Sequence, residues 1–251
     1  MLIYRSNILF FFVFETLFVI ANLTGLAMGV NFAGGSLGGW NLNQIIFTAM
    51  LFQLGHQIFT TFALGGLFHI GWYVWSGRMD FVLLKPVHPL IGMHSASEFI
   101  ISNLPNVLIN FVALIWSILE LHKAGQDFTL VGSLGVFVFF LSGMAVRYAM
   151  ALLVVTPAFF AEKMADGEEA YWSLQSLAKY PAGVFPRVMQ NIFSYVLPIT
   201  VIAAVPASVF FGKESLSSAS IYLAVAVVFS LVALLFFNYG VKSYQSVNTG
   251  A

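Results

Sequence analysis

The sequence predicts an all-α, polytopic membrane protein of about six spans. Of its 251 residues, 60% are hydrophobic and only 8% are charged, whereas a soluble domain carries roughly a quarter charged residues. Its mean hydropathy is +0.92. The apolar residues also run in continuous stretches of about 20 or more, the helix length that crosses a bilayer's hydrocarbon core. A water-soluble fold of this size could not hide so much apolar surface, so lipid is the expected solvent. The formal net charge of zero offers no basic field for nucleic acid. The chain has no cysteine, which removes disulfides, thiolate metal sites and cysteine nucleophiles.

The first span is expected at 7–30. Its opening, "MLIYRSNILFFFVFETLFVIANLTGLAMG", superficially resembles a signal peptide. The apolar run is about twice a normal signal core and contains Glu15, which favours a membrane helix. The uncharged, glycine-rich segment 31–44 follows, then a second span at 45–76. From Ile8 to Ser76 the only charged residue is Glu15.

A short insert, "GRMDFVLLKPVHPLIG", then interrupts the apolar chain at 77–92. Asp80 is placed to cap a short helix, with Phe81, Leu83 and Leu84 supplying apolar contacts. Pro86 disfavours helix at Lys85, and Pro89 prevents clean resumption. The expected product is a short, stiff element along the membrane surface, presenting Arg78, Asp80 and Lys85 to water. A plain reversal between two spans would need only a few polar residues.

The third and fourth spans are expected at 100–121 and 129–157, joined by a turn at 122–128. In the connection 158–182, Asp166 precedes Glu169 by three residues, an N-cap pattern. Glu168 and Glu169 at one end and Lys179 at the other match the helix dipole. Tyr171, Leu174 and Leu177 share a face. These features predict an interfacial helix ended by Pro181. The fifth span, 183–211, contains Pro198 and Pro206. A kink is expected there, followed by a re-entrant piece around "PASVFFG". A turn at 212–218 leads to the sixth span at 219–241. No internal repeat or low-complexity linker appears, so residues 1–251 read as a single transmembrane domain.

Charge distribution sets the orientation. With the N-terminus inside, Arg5, Arg78, Lys85, Lys163, Lys179 and Lys242 face the cytoplasm, and only Lys123 and Lys213 face out. That positive-inside bias predicts two cytoplasmic termini.

Ionisable residues at membrane depth are functional candidates. Glu15 lies about eight residues into its span, roughly 12 Å at helical rise, and Arg147 lies about ten residues, roughly 15 Å, from the end of the fourth span. Both depths are measured from the same side, so a Glu15–Arg147 ion pair is one candidate arrangement, beside a neutral Glu15 inside the protein and an Arg147 snorkelling to the interface. His56 and His69 fall on different faces of the second span. His88 and His94 flank Pro89, and no metal site is expected. Gln53, His56 and Gln57 line one side of the second span.

Three stretches together resemble the permease subunits of type-2 ABC transporters, in the six-span branch without a fused ATPase. "GRMDFVLLKPVHPL" is similar to that branch's glycine–x–x–Asp–x–x–Leu–Leu–basic–Pro signature. "LAKYPAGVFPRVMQNIFSYVLPITVIAAVPASVFFGK" resembles its Tyr-Pro segment and proline-rich fifth span. "NYGVKSYQSVNTG" is like its glycine–x–x–x–Tyr-Gln-Ser ending. The chain departs from the pattern in two places. Tyr4 and Arg5 come almost at once, without the usual preceding amphipathic stretch, and Asn248 stands near the place of a glycine, with Gly250 later.

The resemblance implies an exporter in the cytoplasmic membrane. A separate cytoplasmic ABC ATPase would dock on the first cytoplasmic loop, and a second permease chain, identical or homologous, would complete the path. Arg78, Asp80, Leu83, Leu84, Lys85 and Pro86 become the coupling candidates. ATP and Mg would sit on the ATPase, with no cofactor and no catalysis on this chain. Consistent with that, the sequence contains no G-x-x-x-x-G-K-[ST] motif. Two other classes stay open. One is an ion-coupled secondary carrier using Glu15 and Arg147. The other is a membrane-embedded enzyme using His56, His69 or Glu15, for which no clustered catalytic residues appear.

Overall fold

In a computed structural model, which describes residues 2–96, 103–127, 129–160 and 167–245, the chain is almost wholly helical. The side chains of residues 2–8, 11, 96 and 131 fall outside that description, as do Lys163, Asp166, Ser246, Asn248 and Gly250. The expected Asp166 cap and the inward place of Lys163 therefore lie outside the described residues, as do the Tyr4 and Arg5 side chains.

Helix α1 (Leu2–Phe32) runs to a small hairpin, β1 (Ser36–Leu37) and β2 (Trp40–Asn41). Gly38 and Gly39 turn the hairpin with φ of 59° and 79°, the positive values that a type I′ turn requires. Asn41 then caps α2 (Leu42–Phe62) in a capping box. Its Oδ1 accepts from Gln44 N at 3.0 Å, and Gln44 Oε1 accepts from Asn41 N at 3.3 Å. Short helices α3 (Leu64–Phe68) and α4 (Ile70–Trp75) prolong α2 away from the hairpin. The insert follows, with a one-turn helix α5 (Met79–Leu83), and α6 (Pro89–Ala96) turns back beside α3. Helices α7 (Leu104–Lys123) and α8 (Leu130–Val155) are long antiparallel spans, and Thr129 caps α8 by accepting from Gly132 N at 3.0 Å.

Among the described residues, five helices are long and apolar enough to cross a membrane: Phe12–Phe32, Leu42–Phe62, Leu104–Lys123, Gly132–Phe159 and Leu216–Ser243. The remaining pass is not where hydropathy places it. Gly167 presses against Val154, at the insert end of α8. From there α9 (Glu168–Leu177) climbs along α2. Tyr171 meets Phe68 and Phe59, Trp172 meets His56, and Lys179 stands beside Met50 and Gln53. At the top, a Cβ on Gly183 would lie 2.8 Å from the Gly38 carbonyl oxygen in the hairpin. Residues 167–183 thus make the fifth pass, of which the ten helical residues of α9 cover roughly 15 Å.

The expected span at 183–211 is instead re-entrant from the hairpin end. A 3-10 turn and α10 (Arg187–Asn191) lead into a π-helical turn at Ile192–Val196, which ends before Pro198. The chain dips as far as Gly143 of α8, where a Cβ would touch Val201 O at 2.8 Å and Ile202 Cα at 2.9 Å. Helix α11 (Ala204–Phe210) returns to the hairpin, and Lys213 Nζ donates to Gly39 O at 2.7 Å. The break comes at 197–203, at the expected Pro198, but the re-entrant piece, expected around 206–212, begins earlier in the chain. Every residue from Pro198 to Ala207 is buried, the condition under which irregular backbone survives at membrane depth.

Helix α12 (Leu216–Ser243) closes the bundle. Its buried residues Ala219, Ala226, Ala233 and Gly240 repeat every seven positions. Gly240 packs on Thr156 and Phe159, so this seam of small residues lets α12 approach α8 and the turn after it. Among the described residues the passes number six, with α1 beginning and α12 ending at the insert end. Lys179, expected in a cytoplasmic connection, lies within the bundle.

Candidate functional site

Two places concentrate chemistry: the insert surface and a polar cluster at membrane depth.

At the insert, Gly77 adopts φ 71°, a conformation glycine reaches without strain, and this redirects the chain out of α4. Met79 (0% exposed) and Val82 (3%) anchor α5 to the bundle, whereas Phe81 (71%) and Leu84 (80%) project outward. Leu83, Lys85, Pro86 and Val87 are also exposed. Arg78 lays its guanidinium over the Trp72 ring at 4.4 Å, and Lys85 Nζ donates to Gly92 O at 3.4 Å, closing the loop on itself. The element is therefore short, stiff and half apolar on its open side.

The insert is also tied to the end of α12. His88 Nε2 lies 3.1 Å from Asn238 Oδ1. The Tyr244 hydroxyl lies beside the Asp80 carboxylate, short of a well-aligned hydrogen bond. Burial and, second, that carboxylate push the Tyr244 pKa up to about 12. The insert and Tyr244, which the sequence places in separate motifs, thus meet in space.

At depth, the structure does not form the candidate Glu15–Arg147 pair. Glu15 Oε1 accepts from Gln57 Nε2 at 2.9 Å and from Asn110 Nδ2 at 2.8 Å. Arg147 is fully buried. Its Nη2 donates to Phe52 O at 3.2 Å, and its guanidinium sits 4.7 Å from the Phe52 ring centroid. It faces the Tyr171 hydroxyl, but its Nε and Nη1 make no hydrogen bond. The reason is geometric: both partners lie on α2, and Phe52 and Gln57 are five residues apart, roughly 140° around the helix. Helix α2 stands between the two charges, so depth along the sequence does not imply proximity.

The losses from Glu15→Gln and Arg147→Gln are accordingly expected to add within about 0.5 kcal/mol in unfolding experiments on the purified protein. A coupling above about 1 kcal/mol would restore the ion pair.

The amides around Glu15 form a chain. Asn103 Nδ2 donates to Thr60 Oγ1 at 2.8 Å, Asn106 Nδ2 to Asn103 Oδ1 at 2.9 Å, and Asn110 Nδ2 also reaches Asn106 O at 2.8 Å. Sequence reading singled out Gln57 but missed the asparagines. Their spacing of three and four residues in an otherwise apolar helix was the available signal. The histidines do not converge. His69 and His94 contact backbone carbonyls one turn back, at 2.7 and 2.9 Å, and His56 packs between Phe52 and Trp172.

A family model described as "ABC-2 family transporter protein" matches residues 16–248. No curated protein and no solved structure matches the chain.

Proposed function

The chain belongs to the ABC-2 family of transporter proteins, and from that premise we propose that it is the permease subunit of an exporter driven by a separate ATPase. The observation that carries the finer reading is the open side of the insert, where Phe81 and Leu84 are exposed on a one-turn helix outside the spans. Apolar side chains held rigidly in water fit the centre of a protein contact. Arg78, Asp80, Leu83, Lys85 and Pro86 complete the docking face, with Lys85 and Arg78 at its charged rim. The ATPase binds ATP and Mg and supplies the chemistry of hydrolysis.

In this mechanism, closure of the ATPase pulls on α5. The clasp to Asn238 and Tyr244 passes that movement to α12, and α4 passes it to α2. The bundle then exchanges between two arrangements that expose a path to opposite sides, each favoured in turn by nucleotide. A second copy or a homologue forms the other wall of the path. With the insert end cytoplasmic, both termini face the cytoplasm of the cell membrane that holds the protein.

Reconstitution tests this reading. Vesicles holding the chain and its ABC ATPase are expected to move substrate only with ATP and Mg, and the chain alone is expected neither to hydrolyse ATP nor to transport. Transport by the chain alone under an ion gradient would make it a secondary carrier.

A further inference from the structure

We infer that the cavity bounded by α1, α2 and α9 binds an amphiphile bearing a positive charge, with Glu15 as its counter-ion. This deepens the permease reading and rests on it for treating the ligand as a substrate.

The cavity measures about 400 Å³, within the range of small-molecule sites. Its walls include Phe14, Phe18, Phe52 and Trp172, an aromatic lining that accommodates apolar bulk and attracts cations through ring faces. Glu15 lines the same cavity and is only 6% exposed. Its two amide donors both go to Oε1. Among the described residues none donates to Oε2, and that oxygen is not among the sealed, unpaired polar atoms of the core. It is therefore the oxygen that opens on the cavity. Two neutral amides only partly offset the cost of a carboxylate at this depth, and a cation at Oε2 would complete the compensation.

The other charges set polarity rather than contradict it. Arg147 is fully buried and does not line the cavity. Lys179 does line it, and also borders the adjoining cavity of about 450 Å³ that runs beside Gly25, Gly29 and Leu37 toward the hairpin. A positive group is thus repelled from the Lys179 side and held at the Glu15 side. The apolar remainder of the molecule lies along Phe18 and Phe52.

Tetraphenylphosphonium and tetraphenylborate test this, being nearly the same shape with opposite charge. Radiolabelled ions are equilibrated with the full chain in lipid nanodiscs, with empty discs subtracted. Saturable binding of the cation is expected, about tenfold or more tighter than the anion. Glu15→Gln keeps an acceptor for Gln57 and Asn110 and is expected to weaken cation binding about tenfold. Glu15→Asp should recover part of it, and Lys179→Met should strengthen it. Should Glu15→Gln not fold, Trp172→Leu removes an aromatic wall and is expected to weaken binding as well. Unchanged cation binding in folded Glu15→Gln or Trp172→Leu, equal binding of tetraphenylborate, or no saturable binding of tetraphenylphosphonium overturns the inference. The assay does not read ATPase docking. Its failure would leave the permease assignment standing, and failed docking would leave this cavity untouched.

Discussion

Leu84→Asp is expected to abolish export while leaving the protein folded and inserted. Leu84 is 80% exposed at the end of α5, and its neighbour Phe81 is 71% exposed. An aspartate there meets water in the free subunit and costs the bundle almost nothing. In the docked complex it would be buried against an apolar surface without a partner. Central contacts of that kind typically carry about 2 kcal/mol or more, roughly a thirtyfold loss of affinity. Co-purification with the ATPase should fall accordingly, and ATP-driven transport with it, while association with the second permease stays normal. Asp80→Arg should behave similarly, with the added loss of the contact to Tyr244. Lys123→Glu is the control. Lys123 pairs with Glu120 at 2.7 Å at the far end of α7, away from the insert, so its reversal should leave docking alone. Met79→Asp marks the opposite limit: Met79 is 0% exposed, and that variant should fail to fold. Fully inserted Leu84→Asp that retains both ATPase binding and transport would reduce the insert to a reversal between spans.

The contrast between Met79 and Leu84 could be anticipated only in part. Two prolines and three charged residues, Arg78, Asp80 and Lys85, mark the insert as special, and its place between spans follows from hydropathy. Which side faces out depends on how α5 sits against α6, where Val82 packs on Gly92, and no local pattern in five residues encodes that. The long helices α1, α7, α8 and α12 were legible because lipid-facing surface must be apolar, and many of their large side chains, such as Leu17, Leu108 and Leu235, remain exposed on the bundle.

The fifth pass was misplaced because the same rule was applied where lipid is not the neighbour. One face of 167–183 packs on α8 and on side chains of α2, which buries Tyr171 and Gln175, while Glu168, Glu169, Ser173 and Ser176 are exposed on the other, so the segment carries no continuous apolar run. Residues 184–211 are apolar because α8 and α12 cover much of them, not because they cross. The Glu15–Arg147 pairing failed in a related way. Helical rise gives the height of each charge but not its azimuth in the bundle, and α2 separates them. The amide partners of Glu15, Gln57 and Asn110, were encoded in the sequence, but the spacing of the asparagines does not say which helix they face, so the link to the carboxylate appears only in the bundle.

Gly143→Leu is expected to be the most damaging single change in the membrane interior. At this position the backbone of the re-entrant segment rests on the backbone of α8. A Cβ alone would stand 2.8 Å from Val201 O, 2.9 Å from Ile202 Cα and 3.1 Å from Ile202 O. Those atoms belong to the main chain and cannot rotate aside as a flexible side chain would. They are also fixed from the other side. Thr200 Oγ1 donates to Phe193 O at 3.2 Å, and Pro198, following the π-helical turn, restricts the chain just before. Overpacking in a well-filled core costs about 1–3 kcal/mol, occasionally more, and a leucine here adds three further carbons to the clash. Relief would require lifting residues 199–203 off α8, which would bare carbonyls and amides at membrane depth, each costing several kcal/mol. The chain therefore has no inexpensive way to yield. Gly143→Leu should give little monodisperse protein on size-exclusion chromatography, with Gly143→Ala intermediate. Gly25→Leu serves as the matched control, because a Cβ there meets nothing within 4 Å and glycine is the poorer helix former. Gly25→Leu should be recovered at the level of the unmodified protein. Equal recovery of Gly143→Leu and Gly25→Leu would mean that the segment after Pro198 does not rest on α8, and the re-entrant path would have to be redrawn as a full pass.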